Sequence, residues 1–219
     1  MTPLAAIAIA NTVALLVWVV VARYGLALLV DPSIRTGMAP FDAANAEPHL
    51  RADAFELQKR GFTPIGRKWE HFRFAPRVTS GADLALESER CFATIYGRAE
   101  KANAQGPAMY LFSAFDDGAL VLTWNTPREL YETPDHVEAG LDTFDIDALL
   151  AEHRRRVAPF ADRVALPLTA EGRVLATHHY YRSRFAIAKM RGHGRRLVTS
   201  RLWLLVVLMV AATAAALAP

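Results

Sequence analysis

The sequence predicts an α+β fold bracketed by two transmembrane helices. Three observations predict it: charge-free apolar stretches at both ends, alternating β-type segments between them, and helical periodicity on either side of those segments. The expected division is an N-terminal helix and flank over residues 1–30, a linker over 31–46, an α+β domain over 47–198 and a C-terminal helix over 199–219. The expected sheet is small and antiparallel, with about four strands and flanking helices.

Leu4 to Ala22 runs 19 residues without a charge, and Leu202 to Ala218 runs 17. About 20 apolar residues cross a bilayer as a helix. No Lys or Arg precedes the first stretch, so it reads as a retained helix rather than a cleaved signal peptide. Ala6, Ala10 and Ala14 recur at four-residue spacing, as do Ala211 and Ala215. Small residues so spaced let two helix backbones approach closely. The expected result is a paired hairpin.

The second block of the chain is strongly basic. His153 to Arg201 holds twelve Arg and Lys against two acids, whereas Arg128 to Glu152 holds eight acids against one base. Arg182, Arg184, Lys189, Arg191, Arg195, Arg196 and Arg201 crowd the approach to the last apolar stretch, where they are candidate contacts to anionic lipid. Trp203 stands where an interfacial indole belongs. Positive-inside counting places the middle of the chain in the cytoplasm, with both termini across the inner (plasma) membrane. Nucleic acid is not an expected partner, since no groove-reading motif accompanies the basic run.

Between the ends, Pro32 to Asn45 reads as linker. Pro48 suits a first helical turn, and Leu50, Ala54 and Leu57 follow at helical spacing, giving a helix over about 47–60. Phe62 to Phe74 and Glu89 to Arg98 read as strands, the latter with Cys91, Ala93 and Ile95 on one side. Ala75 to Ser88 reads as a loop. Met109 to Trp124 reads as a hairpin about a two-residue Asp117-Gly118 turn. In that register Leu111 faces Trp124. One face then carries Tyr110, Phe112, Val121 and Thr123; both faces are largely apolar, so the hairpin is expected to be covered on both by helices, a partner or a ligand, and these four residues are the candidate partner or ligand surface. The candidate partners are another protein and a second copy of the chain. Pro127 to Thr143 is acidic and reads as surface connection. Asp145 caps a helix to about Val157, with Leu149, Leu150 and His153 inward. Thr169 starts a longer helix to about Met190, with Val174, His178, Tyr181 and Phe185 as its stripe, before Gly192 and Gly194 interrupt it.

Nucleotide, zinc and serine-hydrolase signatures are absent from the sequence. No catalytic, cofactor or metal residue is expected. Cys91, the single cysteine, alternates with apolar neighbours and reads as core. The expected function is a non-enzymatic accessory, scaffold or ligand-binding module at the cytoplasmic membrane face. The alternative is a membrane-tethered hydrolase or transferase with a dispersed site, for which Cys91 and His71 are the candidate pair.

Overall fold

The computed structural model describes residues 3–75, 77–101 and 104–217. The chain forms two compact units: Met1–Ile34, Phe72–Pro76 and Arg184–Pro219 in one, Arg35–His71 and Arg77–Ser183 in the other.

The first unit is a helical hairpin. Helix α1 spans Pro3–Val30 and α5 spans Arg184–Leu217. Three contacts fix them as antiparallel. Asn11 Nδ2 donates to Thr213 Oγ1 at 3.4 Å. Trp18 Nε1 donates to the Arg201 carbonyl at 2.9 Å. Gly25 and Gly194 pass so closely that a Cβ on Gly194 would lie 2.7 Å from the Gly25 carbonyl oxygen. On α1, Ala14, Ala22, Gly25 and Leu28 are buried, at spacings of eight, three and three residues that keep them on one side of the helix. Outside that seam the helices are apolar and exposed. Leu4, Ile9, Leu16, Val20, Val207 and Val210 are all more than half exposed. Both helices are long and apolar enough to cross a membrane.

Gly192 and Gly194 do not interrupt α5, as the sequence suggested. The break falls at Ser183, whose ψ of 146° is extended and whose N–H bonds back to His179 and Tyr180. A glycine inside a helix costs about 1 kcal/mol relative to alanine. At Gly194 the missing side chain is what permits the contact with α1.

The second unit is built on a sheet of nine strands, not four, in the order β1-β2-β4-β5-β6-β7-β9-β8 with β3 beside β2. The strands are β1 (Ile34–Ala39), β2 (Thr63–Phe72), β3 (Val78–Thr79), β4 (Ala82–Leu86), β5 (Cys91–Lys101), β6 (Ala104–Ala114), β7 (Leu120–Trp124), β8 (Tyr131–Thr133) and β9 (His136–Gly140). Helices α2 (Pro48–Gln58) and α3 (Ile146–Val157) cover one face, and α4 (Ala170–Arg182) covers the other.

The extra strands lie in segments that read as connections. β1 falls in the expected linker, where Gly37 lies against the Trp69 indole and Thr36 Oγ1 donates to the Trp69 carbonyl at 2.8 Å. β4 falls in the expected loop after Ala75, yet all five of its residues are buried. β8 and β9 fall in the acidic stretch, and β9 runs parallel to β7, so the sheet is mixed.

The hairpin register is also one residue from the expectation. Tyr110 pairs with Trp124 and Phe112 with Leu122. Phe115 N–H donates to the Ala119 carbonyl, so the loop is the three residues Asp116, Asp117 and Gly118, with Gly118 at φ 89°. A three-residue loop closing on a left-handed glycine replaces the two-residue turn. A one-residue slip reverses the faces of the second strand.

Other expectations hold. Leu50, Ala54 and Leu57 are the buried residues of α2. Asp145 caps α3 by accepting from the Asp147 and Ala148 N–H groups, with Leu149, Leu150 and His153 inward. Thr169 caps α4, but its buried set is Gly172, Arg173, Ala176 and Thr177 rather than the Val174 stripe.

The hairpin packing yields a paired prediction. Gly194→Ala forces a side chain against backbone and should lower the melting temperature of the full chain in detergent by several degrees. Gly192→Ala faces open space and should be neutral or stabilising by up to about 1 kcal/mol. Equal melting of the two variants would contradict the contact.

Candidate functional site

The face of the sheet under α4 holds a cluster of ionised side chains. Asp83 interrupts the apolar run of β4 and is fully buried, as is Arg173 of α4. Arg173 Nε donates to Asp83 Oδ1 at 3.1 Å. Its Nη1 donates to Thr177 Oγ1 at 2.8 Å. Its Nη2 donates to Tyr110 Oη at 2.7 Å and Thr94 Oγ1 at 3.0 Å. Thr94 Oγ1 in turn donates to Asp83 Oδ1 at 2.6 Å, and Ser80 Oγ donates to Asp83 Oδ2. Lys68 on β2 extends the network. Its Nζ donates to Glu70 and, at 3.1 Å, to Tyr110 Oη. Tyr181 Oη donates to Glu70 Oε2 at 2.9 Å.

Two cations and two anions balance here. Burial works against the Asp83 carboxylate, but Arg173 and Lys68, with the Ser80 and Thr94 hydroxyls, hold it below the usual carboxylate range. Burial also works against the Lys68 ammonium, and Arg173 adds to that. Tyr110, Glu70 and Asp83 outweigh both and hold it above its ordinary value. Both ions are therefore charged across the physiological range. Every nitrogen of the Arg173 guanidinium is spent on the sheet or its own helix, so the network ties α4 to β4, β5 and β6.

A second buried carboxylate lies on β9. Glu138 is 2% exposed. Tyr180 Oη donates to its Oε2 at 3.4 Å, and Arg128 Nη1 is 3.8 Å from Oε1. The Arg128 guanidinium stacks 3.6 Å from the Trp124 ring centroid. Burial, with Glu138 second, pushes the Tyr180 phenol up.

On the opposite face, His153 of α3 stands between Ser113 and Thr123, 3.0 Å from each. Ser113 Oγ donates its proton to the Arg90 carbonyl at 3.0 Å. That leaves Nε2–H as donor to Ser113 and Nδ1 as acceptor from Thr123. A serine that receives a proton from histidine is not activated for attack. Burial, with Arg156 second, pushes the imidazole down to about 3, so it stays neutral.

Cys91 is fully buried, and burial, with Glu89 second, pushes its thiol up. It pairs with Leu86 of β4. Beyond β4, the neighbouring β2 residue is Thr63, and His71 lies eight residues further along, roughly 25 Å in an extended strand. The candidate pair does not meet. Among the described residues no group of three or more His, Cys, Asp or Glu side chains could hold a metal ion.

The four residues expected on one face as a partner or ligand surface are placed on both faces of the sheet. Tyr110 and Phe112 lie under α4, and Val121 and Thr123 lie toward α3. All four are buried, and helices cover them. The cationic candidates are accessible instead: Arg182, Arg184, Lys189, Arg191, Arg195 and Arg196 are exposed and Arg201 is half-buried. A surface depression of about 640 Å³ lies among β8, β9 and the end of α3, lined by Leu130, Val137, Phe160, Arg128, Arg155 and Arg156. Its cations are compensated, because Glu152 binds both Arg155 and Arg156 and Glu138 faces Arg128.

No protein-family model matches this chain, and no curated protein or solved structure is detectably similar to it.

The buried ions yield a cycle. Removing one partner of a buried pair costs about 3–5 kcal/mol, whereas replacing both by apolar residues is often neutral. Arg173→Leu and Asp83→Leu should each destabilise the chain by about that amount. The double variant should recover much of the loss in equilibrium unfolding. Additive losses would show that the two side chains act independently.

Proposed function

We propose that this chain is a two-span membrane protein that presents its α+β unit at the cytoplasmic face as a non-enzymatic accessory or scaffold module. The observation that carries this reading is the exposed apolar surface of the α1–α5 hairpin. Monomeric soluble proteins rarely expose contiguous apolar patches beyond a few hundred Å². Here valine and leucine side chains more than half exposed run along both helices. Lipid removes that cost.

Dimensions agree. Leu4 to Ala22 rises about 28 Å as a helix and Leu202 to Leu217 about 24 Å, against a hydrocarbon core of about 30 Å. Side-chain hydrogen bonds within these stretches are few, and the buried Asn11 Oδ1 has no partner among the described residues. Asn11 bonds Thr213, and Thr12 Oγ1 donates to the Ala8 carbonyl at 2.8 Å. Orientation rests on Arg23, Arg35 and the basic stretch of α5, which flank the spans on the side of the α+β unit.

Geometry narrows the lipid contacts. Along α5, Arg195 and Arg196 stand about 8–9 Å from Arg201, Arg191 about 15 Å and Arg184 about 26 Å. Screening extends about 8 Å at physiological salt. Arg195, Arg196 and Arg201 are therefore the residues that feel an anionic leaflet. Arg182, Arg184, Lys189 and Arg191 are better placed to keep the segment in the cytoplasm or to meet an acidic protein.

The non-enzymatic part is supported by how the ionisable interior of the unit is used. Asp83, Arg173 and His153 spend their polar atoms on internal bonds. The depression beside Phe160 has the volume of a small-molecule pocket, about 300–1,000 Å³, and is where a ligand or a partner side chain would seat.

Topology is testable with a single thiol. Ser88 is exposed, and Cys91 is buried. A Ser88→Cys variant should react with a membrane-impermeant maleimide only after cells are permeabilised. Labelling in intact cells would place the unit on the other side.

A further inference from the structure

The hairpin carries a third chain segment at the level where its apolar surface ends. The turn between β2 and β3 clusters with α1 and α5, not with the sheet. It is a tight turn, closed by the Ala75 N–H donating to the Phe72 carbonyl at 3.1 Å. Phe74 sits in it at φ 63° and is half exposed. A bulky residue rarely adopts positive φ, and such a conformation costs on the order of 1–3 kcal/mol. An aromatic ring held this way at the surface calls for a reason outside the turn.

The surroundings supply one. The Arg23 guanidinium of α1 lies 5.7 Å from the Phe74 ring centroid, and that of Arg73 lies 5.1 Å from it. Arg23 is at the height of Arg201, since the Arg201 guanidinium donates to the Val21 carbonyl. Trp18 bonds the Arg201 backbone at the same height, and Trp203 is 75% exposed two residues on. Three segments thus bring aromatic rings and guanidinium groups to one level, beyond which neither helix carries a charge. Rings and guanidinium groups at one such level are the composition of a membrane–water interface.

We propose that the Phe72–Ala75 turn is a membrane contact in its own right: the Phe74 ring enters the headgroup layer, and Arg23 and Arg73 engage the phosphates of anionic phospholipid. This rests on the two-span reading above. Phosphate binds guanidinium through charge-assisted, often paired hydrogen bonds, and each cation near an anionic leaflet contributes about 1 kcal/mol. Phe74 adds apolar area at the same place. The contact would hold the end of β2 at the membrane independently of the spans.

The test uses the full chain reconstituted into vesicles, with the fluorophore nitrobenzoxadiazole on Ala75→Cys. Phe74 stays intact, and buried Cys91 sets the unlabelled background in the parent chain. Vesicles of phosphatidylcholine alone are compared with vesicles containing phosphatidylglycerol, each doped with lipid spin-labelled near the headgroup. The expected result is a blue-shifted emission, quenched at least twofold more with phosphatidylglycerol present, and loss of that difference in Arg23→Gln/Arg73→Gln. Phe74→Asp should return the emission to that of water. A control label at Val206→Cys, read with spin labels deep in the acyl chains, reports the span itself. Quenching at 206 with solvent-like emission at 75 overturns this proposal and leaves the span reading standing. No quenching at 206 overturns both. Equal quenching at 75 in the two compositions overturns the anionic headgroup as the partner.

Discussion

The apolar surface of the α1–α5 hairpin is the constraint on which the rest depends. Two helices that bury only a narrow seam against each other leave their remaining side chains to the surroundings. In water that surface would drive association. In lipid it costs nothing, and the pairing then relies on close approach and hydrogen bonds rather than on the hydrophobic effect. The structure has both devices. Gly25 and Gly194 let the backbones meet, and Asn11–Thr213 and Trp18–Arg201 each place one hydrogen bond across the pair.

The α+β unit solves a different problem. Its sheet is covered on both faces, so polar residues that point from a strand are enclosed rather than solvated. Asp83, Arg173 and Lys68 remain charged because opposite charges lie beside one another and they share the Tyr110, Thr94 and Ser80 hydroxyls. Such a network is weak evidence for stability, since an apolar replacement of similar volume can do as well. Its geometry does specify where α4 sits on the sheet. The Ser113–His153–Thr123 chain does the same for α3 on the other face, with a neutral ring in place of ions.

What the sequence disclosed followed physical rules that act locally. The two long apolar helices, the α2 and α3 faces and the Asp145 and Thr169 caps depend on spacing and on one or two neighbours. The misread elements depend on partners far along the chain. β4 was hidden because its Ala-Asp-Leu-Ala-Leu run is short and carries a charge, which Arg173, ninety residues away, and Lys68 make tolerable in a core. β9 was hidden for the same reason, with Glu138 facing Arg128 and Tyr180. Asp83 inside an apolar alternation was the available signal for the buried cluster. The hairpin face was lost to a single residue of loop length: Asp116 belongs to the turn, and that moves Val121 and Thr123 to the side opposite Tyr110 and Phe112. Gly194 read as a helix breaker because its partner, Gly25, is invisible to local pattern.

Whether lipid covers the hairpin can be measured on membranes from expressing cells washed in alkaline carbonate, which strips peripheral proteins and opens vesicles. With α1 and α5 spanning the bilayer, the chain stays in the sedimented membrane and dissolves only in detergent. Recovery of the full-length chain in the carbonate supernatant would contradict that.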